Sequence, residues 1–253
     1  MKIEPGLEGK IAFVTGGAKG IGFAIAKRLC HEGMHVILSD MDKANGENAT
    51  SELKEAGFFA TFYQLDVSDA KACEEIADRV AKEHGNVEVL VNNAGICLNA
   101  DCLNTTDEIW SKQISVNLDG VFFCCRAFGR HMVAGKGGSV INMASMAGII
   151  DVRPQRHLAY SVSKAGVAQM SRCLSTEWAP YKIRVNAVAP GYVATEMPLA
   201  AGEELVDEWM KMIPINRFIE PKEIADVVAF LASPASSSIT GHVLITDGGY
   251  SVW

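Results

Sequence analysis

The strongest limit on the fold of this chain comes from a strand-like run, a glycine-rich turn and a helix-like run near its start. Residues 10–14 are rich in strand formers, residues 15–22 read TGGAKGIG, and residues 23–29 carry the apolar periodicity of a helix. This order suits a dinucleotide phosphate, because glycines let the backbone approach a pyrophosphate and the helix N-terminus favours its charge. The glycine spacing is Gly-x-x-x-Gly-x-Gly, and a plain strand–helix turn remains the alternative. The predicted cofactor-binding residues of this turn are Gly16, Lys19, Gly20, Ile21 and Gly22.

The rest of the chain continues the alternation of strands and helices. Predicted strands lie at residues 10–14, 35–40, 58–65, 87–91, 138–143, 182–188 and 242–246. Helical periodicity separates them, and no linker, internal repeat or low-complexity tract divides the sequence. Alternation of this kind predicts a single-domain Rossmann fold of the α/β class over residues 1–253, with a doubly wound, mostly parallel seven-stranded sheet flanked by helices.

One long predicted helical stretch contains two local signals. Thr105 and Glu108 have the spacing of a capping box, which predicts a helix beginning at about Asp107. The pattern stays helical through Phe128 and includes Asn117, a poor residue for a helix interior because its side chain competes for backbone hydrogen bonds. We therefore expect a kink or a polar role at Asn117.

Several small or polar residues directly follow predicted strands. In doubly wound sheets, ligands bind beyond the carboxyl ends of the strands, so these positions are expected to share one edge of the sheet. The residues at such positions are Gly16, Asp40, Asp66, Asn93, Gly95, Ser145 and Pro190. Asp66 could meet the adenine amino group of a dinucleotide bound there.

Asp40 ends the second predicted strand, about 20 residues after the glycine turn. An acid at this distance is expected to meet the adenine-side ribose hydroxyls, and its charge repels a 2′-phosphate. Asp40 therefore favours NAD over NADP. Lys19 in the glycine turn points weakly toward NADP, but a close like-charge clash should outweigh one flexible ammonium.

Tyr160 and Lys164 begin another predicted helix, which runs to about Trp178. Their spacing of four places the phenol and the ammonium on one face of the helix, one turn apart. A phenol has an ordinary pKa of about 10, and a fixed cation beside it favours the phenolate. A pair of this kind is common on protein surfaces, and it becomes a catalytic candidate only through the residues around it.

Composition excludes several classes of function. With 23 Lys and Arg against 30 Asp and Glu, the net charge is −7, and no basic run marks a nucleic-acid interface. The N-terminus lacks the apolar core of a signal peptide, and no apolar run approaches the roughly 18 residues of a membrane helix. We therefore expect a soluble, cytoplasmic protein without a nucleic-acid or membrane partner. The seven cysteines lack paired short spacing, so neither a metal site nor a disulfide framework is predicted.

Taken in order, these motifs resemble those of the short-chain dehydrogenase/reductase family along essentially the whole chain. The matching segments are Thr15-Gly16-x-x-x-Gly20-x-Gly22, Asn92-Asn93-Ala94-Gly95, Asn117, Ser145, Tyr160-x-x-x-Lys164 and Pro190-Gly191. The resemblance implies NAD(P)-dependent oxidoreduction of an alcohol and its carbonyl. It also implies a homotetramer formed through helices at about 107–135 and 158–180 and the C-terminal strand, and we expect Trp253 to pack at such an interface.

The resemblance also implies a role for each member of the catalytic set. Tyr160 would remove the hydroxyl proton while hydride passes to the nicotinamide of NAD. Lys164 would lower the pKa of Tyr160 and hold the nicotinamide ribose, and Ser145 would stabilise charge on the substrate oxygen. Asn117 would hold a water between Lys164 and solvent. Further cofactor contacts are implied for Val67, Val193 and Thr195, and a substrate loop is implied at about 196–213.

The loop before Tyr160 departs from the usual pattern of the family. Ser145 and Tyr160 are 15 residues apart, more than is usual, and the additional residues lie within 151–157. This segment resembles that of galactitol and related polyol dehydrogenases of the family. A polyol offers hydroxyls that donate and accept, so a matching loop needs side chains of both kinds, although an ordinary solvated connection remains the alternative. The predicted substrate residues are Ser145, Asp151, Arg153, Gln155 and Tyr160.

The complete pattern predicts an NAD-dependent oxidoreductase that interconverts a polyol or secondary alcohol and the corresponding ketone. The main alternative is a reductase of another carbonyl, such as a 3-oxoacyl thioester or a steroid ketone, which Asp40 and the charged loop disfavour. A non-catalytic dinucleotide-sensing protein should lack part of the set formed by Asn117, Ser145, Tyr160 and Lys164, which is intact here.

Overall fold

One parallel sheet forms the centre of the structure, a computed structural model that describes residues 6–195 and 202–253 except for the side chain of Glu203. The first six residues of the predicted substrate loop, 196–201, lie outside the described residues. The strands in the described ranges are β1 Ile11–Thr15, β2 His35–Asp40, β3 Ala60–Gln64, β4 Val89–Asn92, β5 Gly138–Met143, β6 Ile183–Pro190 and β7 Val243–Thr246. Their order is β3-β2-β1-β4-β5-β6-β7, and every neighbouring pair is parallel.

Helices cover both faces of this sheet. They are α1 Gly20–His31, α2 Lys43–Glu55, α3 Ala70–Glu83, α4 Asp107–Ile114, α5 Gly120–Ala134, α6 Leu158–Trp178, α7 Glu203–Met212 and α8 Pro221–Ala232. Buried side chains of α1, α2 and α8 pack on one face, and those of α3, α5 and α6 pack on the other. Among the helices of the described ranges, none combines the length and apolar content that crossing a bilayer requires.

Burial on both faces explains the apolar character of the strands. Ala12, Phe13 and Val14 of β1 are all fully buried, with Phe13 on the α3 side and its two neighbours on the α1 side. Parallel strands covered on both faces are expected to be continuously apolar rather than alternating. The strand-like runs in the sequence have this composition, and the predicted doubly wound sheet is confirmed.

The direction in which strands are added changes between β1 and β4. The chain proceeds outward from β1 to β2 and β3, and then places β4 on the other side of β1. A crevice opens at such a point, beyond the carboxyl ends of the two strands. The turns after β1 and β4 meet there, because a Cβ on Gly16 would lie 2.9 Å from the Cα of Ala94.

The predicted cap of α4 is wrong by one residue. The helix begins at Asp107 as expected, but the Oγ1 of Thr106 accepts a hydrogen bond from the backbone amide of Ile109 at 3.2 Å. The hydroxyl of Thr105 instead donates to the carbonyl of Asp101 at 2.7 Å. Both threonines are suitable caps, and the turn that precedes the helix determines which of them is used.

Candidate active site

The glycine turn between β1 and α1 is shaped by close backbone contacts. Gly16 and Gly20 have φ angles of 61° and 57°, which residues with a side chain rarely adopt. Gly22 has no space for a side chain, because a Cβ there would collide with the carbonyl oxygen of Gly16. Lys19 is the N-cap residue of α1 and Ile21 lies in its first turn, and no side chain of the described residues caps this helix. The first amide groups of α1 are thus available to an anion, which fits a pyrophosphate.

Asn93 holds the glycine turn against the end of β4. Its side-chain amide donates to the carbonyl oxygens of Thr15 and Gly16, both at 3.0 Å, and its backbone amide donates to Thr15 Oγ1. The side chain is therefore committed to the shape of the turn. Gly95 follows, and a Cβ there would lie 3.3 Å from Lys164 Nζ, so this glycine lets the backbone pass close to that ammonium.

Asp40 ends β2 beside the glycine turn. Its carboxylate accepts hydrogen bonds from the backbone amides of Ala18 at 3.3 Å and Asp42 at 3.1 Å. The pKa of Asp42 is held below its ordinary value mainly by hydrogen bonds from Asn45, with a smaller contribution from the charge of Lys19. Two carboxylates thus lie on this side of the crevice, and the charge of Lys19 acts on one of them.

Asp66 and Val67 follow β3 on the same edge of the sheet. Asp66 Oδ1 accepts hydrogen bonds from the hydroxyl of Ser68 at 2.6 Å and from its backbone amide at 2.9 Å, and the hydroxyl is the larger cause of a lowered pKa at Asp66. Val67 is buried, and a Cβ on Gly120 would lie 2.7 Å from its Cγ2. The start of α5 therefore fixes the position of Val67.

Ser145, Tyr160 and Lys164 meet at the carboxyl end of β5. Tyr160 lies in the first turn of α6, close enough to Ser145 for this residue to lower the pKa of its phenol. The Oγ of Ser145 accepts a hydrogen bond from the backbone amide of Ala147 at 3.2 Å. Lys164 lies one turn further along α6. Its Nζ is 5.7 Å from the centre of the Tyr160 ring and donates to the carbonyl of Met143 at 2.8 Å. Three residues predicted from two separate segments are thus adjacent.

Burial dominates the ionisation of this group. It raises the pKa of Tyr160 to about 12, against a smaller lowering by Ser145, and it lowers the pKa of Lys164 to about 8. An ammonium near a phenol favours the phenolate, and the lowering of the Tyr160 pKa by Lys164 stays a prediction beside this larger effect of burial. Both side chains are held where their charged forms are unfavourable, as is common for groups that transfer protons.

Asn117 lies in a π-helical turn, Ser115–Asp119, that joins α4 to α5. The expected irregularity is therefore confirmed. Its fully buried side chain accepts from the backbone amide of Ile96 at 2.8 Å and donates to the carbonyl of Ile96 at 2.8 Å and to Ser163 Oγ at 3.2 Å. It thereby ties the segment after β4 to α6. That Asn117 holds a water stays a prediction. Both protons of its side-chain amide already bond Ile96 and Ser163, so such a water would have to bond another atom.

The segment after β6 closes the same edge of the sheet. Pro190 pairs with β7, and Val193 forms an isolated parallel bridge with Ile219. Thr195 approaches the glycine turn, because a Cβ on Gly20 would lie 3.5 Å from Thr195 Cγ2. The predicted cofactor contacts in this segment are Pro190, Val193 and Thr195. Of these, Thr195 lies against the glycine turn.

The three predicted substrate residues of the loop do not lie together. Asp151 and Arg153 are 64% and 69% exposed and pair with each other, with 3.3 Å between Arg153 Nε and Asp151 Oδ2. Gln155 instead turns inward, where its Nε2 donates to Tyr192 OH at 2.7 Å and its Oε1 accepts from Trp209 Nε1 at 3.0 Å. Among the described residues, no hydrogen bond or ion pair joins Asp151 or Arg153 to the catalytic candidates.

Three side chains beside the site were not predicted as site residues. Tyr192 stacks on Trp209, with 4.5 Å between ring centres. Cys97, one of seven free thiols, lies close enough to Tyr160 and Lys164 for its charge to affect both, and burial raises the pKa of Cys97 to about 11. Tyr192 directly follows one recognised motif and Cys97 lies two residues after another, whereas nothing local marks Trp209. In the part of the chain that the structure describes, His, Cys, Asp and Glu side chains form no group of three suited to a metal ion.

Proteins of known sequence resemble the chain over nearly its whole length. Galactitol 2-dehydrogenase (L-tagatose-forming) from Cereibacter sphaeroides is 45% identical, over 98% of this chain and 97% of its own. An NAD-dependent glycerol dehydrogenase from Listeria innocua serovar 6a is 37% identical, over 96% and 94%. A 3-oxoacyl-[acyl-carrier-protein] reductase from Thermotoga maritima is 38% identical, over 96% and 98%.

Solved structures and a family model agree with these relatives. The crystal structure of the protein designated gox2181 matches with a TM-score of 0.97 and 40% identity over 100% of both chains. A gluconate 5-dehydrogenase from Burkholderia cenocepacia J2315 in complex with NADP and tartrate matches with a TM-score of 0.92 and 30% identity, over 97% of this chain and 96% of its own. The family model described as Enoyl-(Acyl carrier protein) reductase covers residues 16–251. Because sequence, structure and family model agree over nearly the full length, the chain is an oxidoreductase of the short-chain dehydrogenase/reductase family.

Proposed function

We propose that this chain is an NAD-dependent dehydrogenase that interconverts a polyol, or a related secondary alcohol, and the corresponding ketone by hydride transfer. The observation that carries the proposal is the meeting of Ser145, Tyr160 and Lys164 at the sheet edge that also holds the glycine turn. A proton acceptor, a cation and a hydroxyl donor are thereby placed beside a dinucleotide-type crevice. The galactitol and glycerol dehydrogenases among the relatives support a polyol as the alcohol.

In the proposed oxidation, Tyr160 acts as the general base. Its phenolate takes the proton of the substrate hydroxyl, an action typically worth about 10²–10⁴-fold in rate. The hydroxyl of Ser145 donates to the same oxygen and stabilises the charge that develops there. Lys164 favours the phenolate of Tyr160, and its position next to Gly95 also suits a bond to a ribose hydroxyl. A bound nicotinamide would supply the acceptor for the hydride that leaves the carbon bearing the hydroxyl.

The cofactor would lie along the carboxyl edge of the sheet. The glycine turn and the first turn of α1 suit the pyrophosphate, Asp40 suits the adenine-side ribose, and Asp66 with Val67 suits the adenine. The remaining proposed contacts are Lys19, Ile21, Asn93, Gly95, Pro190, Val193 and Thr195. Asn93 contributes by fixing the turn, because its amide is bonded to Thr15 and Gly16.

Local charge supports NAD over NADP. A 2′-phosphate would meet the carboxylates of Asp40 and Asp42, and like charges at close range are strongly unfavourable. Lys19 is the opposing cation, but its charge already acts on Asp42. One relative is an NAD-dependent dehydrogenase and one structural neighbour was solved with NADP. The relatives therefore do not decide between the two coenzymes, and the proposal of NAD depends on Asp40 and Asp42.

We also propose that the chain forms a homotetramer, as the family resemblance implies. Large apolar side chains are 39–43% exposed on α4, α5 and α6, namely Trp110, Phe122, Leu158 and Val162. Ile245 on the edge strand β7 and Trp253 are also exposed. Apolar groups of this size favour burial against a partner. Removal of residues 250–253 should shift the sedimentation profile toward smaller species, and an unchanged profile would exclude packing of Trp253 at the interface.

Reduction of a 3-oxoacyl thioester is the second candidate function. The relative from Thermotoga maritima supports it, because that reductase is 38% identical over 96% of this chain. Tyr160, Lys164 and Ser145 would serve that reaction equally well, since protonation of a carbonyl oxygen reverses deprotonation of an alcohol. These three residues, the catalytic corner, therefore do not separate the two functions. Substrate choice must come from the surrounding side chains.

Initial-rate assays on the purified chain separate the two candidates. Hexitols, pentitols, tetritols and glycerol would be offered with NAD and with NADP, and a 3-oxoacyl thioester with NADH and NADPH. We expect at least one polyol to be oxidised, with kcat/KM for NAD about tenfold or more above that for NADP. Turnover of the thioester alone would replace the polyol proposal by the reductase.

A further inference from the structure

A third hydrophobic cluster lies beside Tyr160, apart from the two faces of the sheet. It joins Tyr192 after β6, Trp209 of α7, Phe218 before α8, and Tyr250 of the C-terminal turn, Tyr250–Val252. Tyr160 packs against this cluster. The ring of Tyr192 stacks on Trp209 and Phe218, with 4.5 and 5.8 Å between ring centres, and meets Tyr250 edge-on. Four separated parts of the sequence thus form one wall next to the proposed base.

Hydrogen bonds and one ring contact join the parts of this cluster into a chain. Trp209 Nε1 donates to Gln155 Oε1 at 3.0 Å, and Gln155 Nε2 donates to Tyr192 OH at 2.7 Å. The ring of Tyr192 meets the ring of Tyr250 edge-on, with 5.7 Å between ring centres. Tyr250 OH donates to the carbonyl of Arg153 at 3.2 Å. The chain begins on α7 and ends on the loop that carries Gln155.

The indole of Trp209 fixes the orientation of the Gln155 amide. An indole N–H can only donate, so the atom of Gln155 that faces Trp209 must be its oxygen, and its nitrogen then faces Tyr192. The carbonyl of Arg153 can only accept, so Tyr250 donates to it. An apolar replacement of Gln155 leaves the Trp209 N–H without its acceptor and Tyr192 OH without its donor.

This chain of contacts is connected to the catalytic corner and to the end of the protein. Met146 and Ala147 belong to the same cluster and directly follow Ser145, and the amide of Ala147 donates to Ser145 Oγ. At the C-terminus, Trp253 Nε1 donates to the carbonyl of Met212, the last residue of α7, at 3.1 Å. The position of α7 relative to Tyr160 therefore depends on Gln155 and on the C-terminal turn.

We propose that Gln155 is a positioning residue whose amide locks α7 and the C-terminal turn beside Tyr160, so that the alcohol binds tightly only when this chain of contacts is complete. The proposal rests on the dehydrogenase function proposed above. It gives Gln155 a role other than that of a direct substrate contact, because its oxygen and one of its two amide protons already bond Trp209 and Tyr192.

Single and double variants test this role. Gln155→Leu removes the central link, and Tyr250→Phe removes the last hydroxyl. Each should raise KM for the polyol about five- to tenfold, with kcat and the dissociation constant for NAD within about twofold of the parent chain. The double variant should lose little more than the worse single variant, because both variants loosen the same loop, which carries Arg153 and Gln155. Additive losses would contradict the proposal.

A matched control removes a hydroxyl elsewhere. Tyr63→Phe deletes an OH that is bonded to Glu83 and His84 in the core between β3 and α3. This variant should lower the free energy of unfolding and leave the KM for the polyol unchanged. A general loss of stability is thereby distinguished from the loss of the position of α7. A rise in KM for Gln155→Leu without one for Tyr250→Phe would show that Gln155 contacts the substrate directly, and it would overturn the proposal.

Amide hydrogen exchange gives a reading that needs no substrate. Amides of residues 205–212 in α7 should exchange faster in Gln155→Leu and Tyr250→Phe, and at the parent rate in Tyr63→Phe. Unchanged exchange in both network variants would overturn the proposal. If the parent chain oxidises no polyol, the proposed function fails, whereas the exchange of α7 still decides whether Gln155 locks this helix.

Discussion

The glycine-turn side of the site and the Gln155 side are built in different ways. On the first side the backbone sets the shape: Gly16 and Gly20 adopt positive φ, and Gly22 has no space for a side chain. On the second side, Gln155 and Tyr192 are joined to α7 and to the C-terminal turn by side-chain contacts. The first side lies within a few consecutive residues, and the second gathers four distant segments.

This difference explains why the cofactor chemistry is easier to infer than the substrate. A site shaped by the backbone requires glycine at fixed spacing, because no other residue fits the conformation. A site shaped by side chains depends on which distant residues the fold brings together. The spacing of residues within one segment does not indicate which distant residues these are. Substitutions on the two sides should therefore separate, with the first changing NAD affinity and the second changing the KM for the alcohol.

The largest expected effect lies where the two sides meet. Tyr160→Phe removes the proposed base and should lower kcat by about 10²–10⁴-fold. The dissociation constant for NAD should stay within about twofold, because the glycine turn is untouched. Steady-state rates and a fluorescence titration of NAD check both parts. Residual turnover above about a tenth of the parent value would assign the base to another group.

A substitution confined to the backbone-shaped side should come next in size. Gly22→Ala places a Cβ against the carbonyl of Gly16, where the backbone must move, and we expect NAD affinity to fall about 100-fold, consistent with a loss of roughly 3 kcal/mol. Gly46→Ala is the matched control, because a Cβ on Gly46 of α2 would collide with the side chain of Phe62 on β3 and not with the glycine turn. The control should lower stability without changing NAD affinity, and equal losses of affinity in both would refute the local explanation.

The buried ammonium should reduce the stability of the fold. The pKa of Lys164 falls from 10.5 to about 8, so the folded chain loses this proton between about pH 8 and 10.5 while the unfolded chain keeps it, and stability from this group rises over that window. Lys164→Met should raise the free energy of unfolding at pH 7 by about 1–3 kcal/mol and abolish the rise. Urea unfolding at pH 7 and about pH 9.5 tests this. Destabilisation at pH 7 would show that the bond to Met143 outweighs the burial of charge.

Asp40→Ala should alter coenzyme choice on the first side alone. The substitution removes a ribose partner and a repulsive charge, so NAD should bind about tenfold more weakly and NADP should become a usable coenzyme. The KM for the alcohol should remain unchanged. Initial rates with each coenzyme provide the measurement, and a parent chain that already prefers NADP would assign the choice to Lys19 instead.

The smallest effect is expected at Asp151. Its side chain is exposed and pairs with Arg153, and exposed ion pairs contribute little. Asp151→Ala should therefore change kcat/KM for the polyol by less than about twofold. A loss of tenfold or more would restore Asp151 as a direct substrate contact, as the sequence predicts, and would place the binding site further out along the loop.

The fold was predictable because burial on both faces leaves apolar runs that local patterns detect. The prediction for β5 matches the structure at both ends. The strand predicted at 58–65 is shorter in the structure, where β3 spans Ala60–Gln64. Its beginning differs because the amide of Phe58 bonds the carbonyl of Leu53 at the end of α2. This is a contact between elements, and the apolar character of Phe58 does not reveal it.

The site was predictable where motifs carry it and not where distant contacts do. Ser145, Tyr160 and Lys164 come together as expected, because each begins or follows an element of the sheet edge. The effect of burial on the pKa of Tyr160 was not predictable, since the cluster against which this side chain packs is formed by distant residues. Gln155 and Trp209 lie 54 residues apart, and no spacing rule links an amide in a loop to an indole on α7.

The most direct test of this account compares the two sides in one experiment. The dissociation constant for NAD and the KM for a polyol would be measured for the parent chain, Gly22→Ala and Gln155→Leu. We predict that Gly22→Ala weakens NAD about 100-fold, whereas Gln155→Leu raises only KM, by about five- to tenfold. If Gln155→Leu weakened NAD as much as it raised KM, the two sides of the site would not be separable and the account would be wrong.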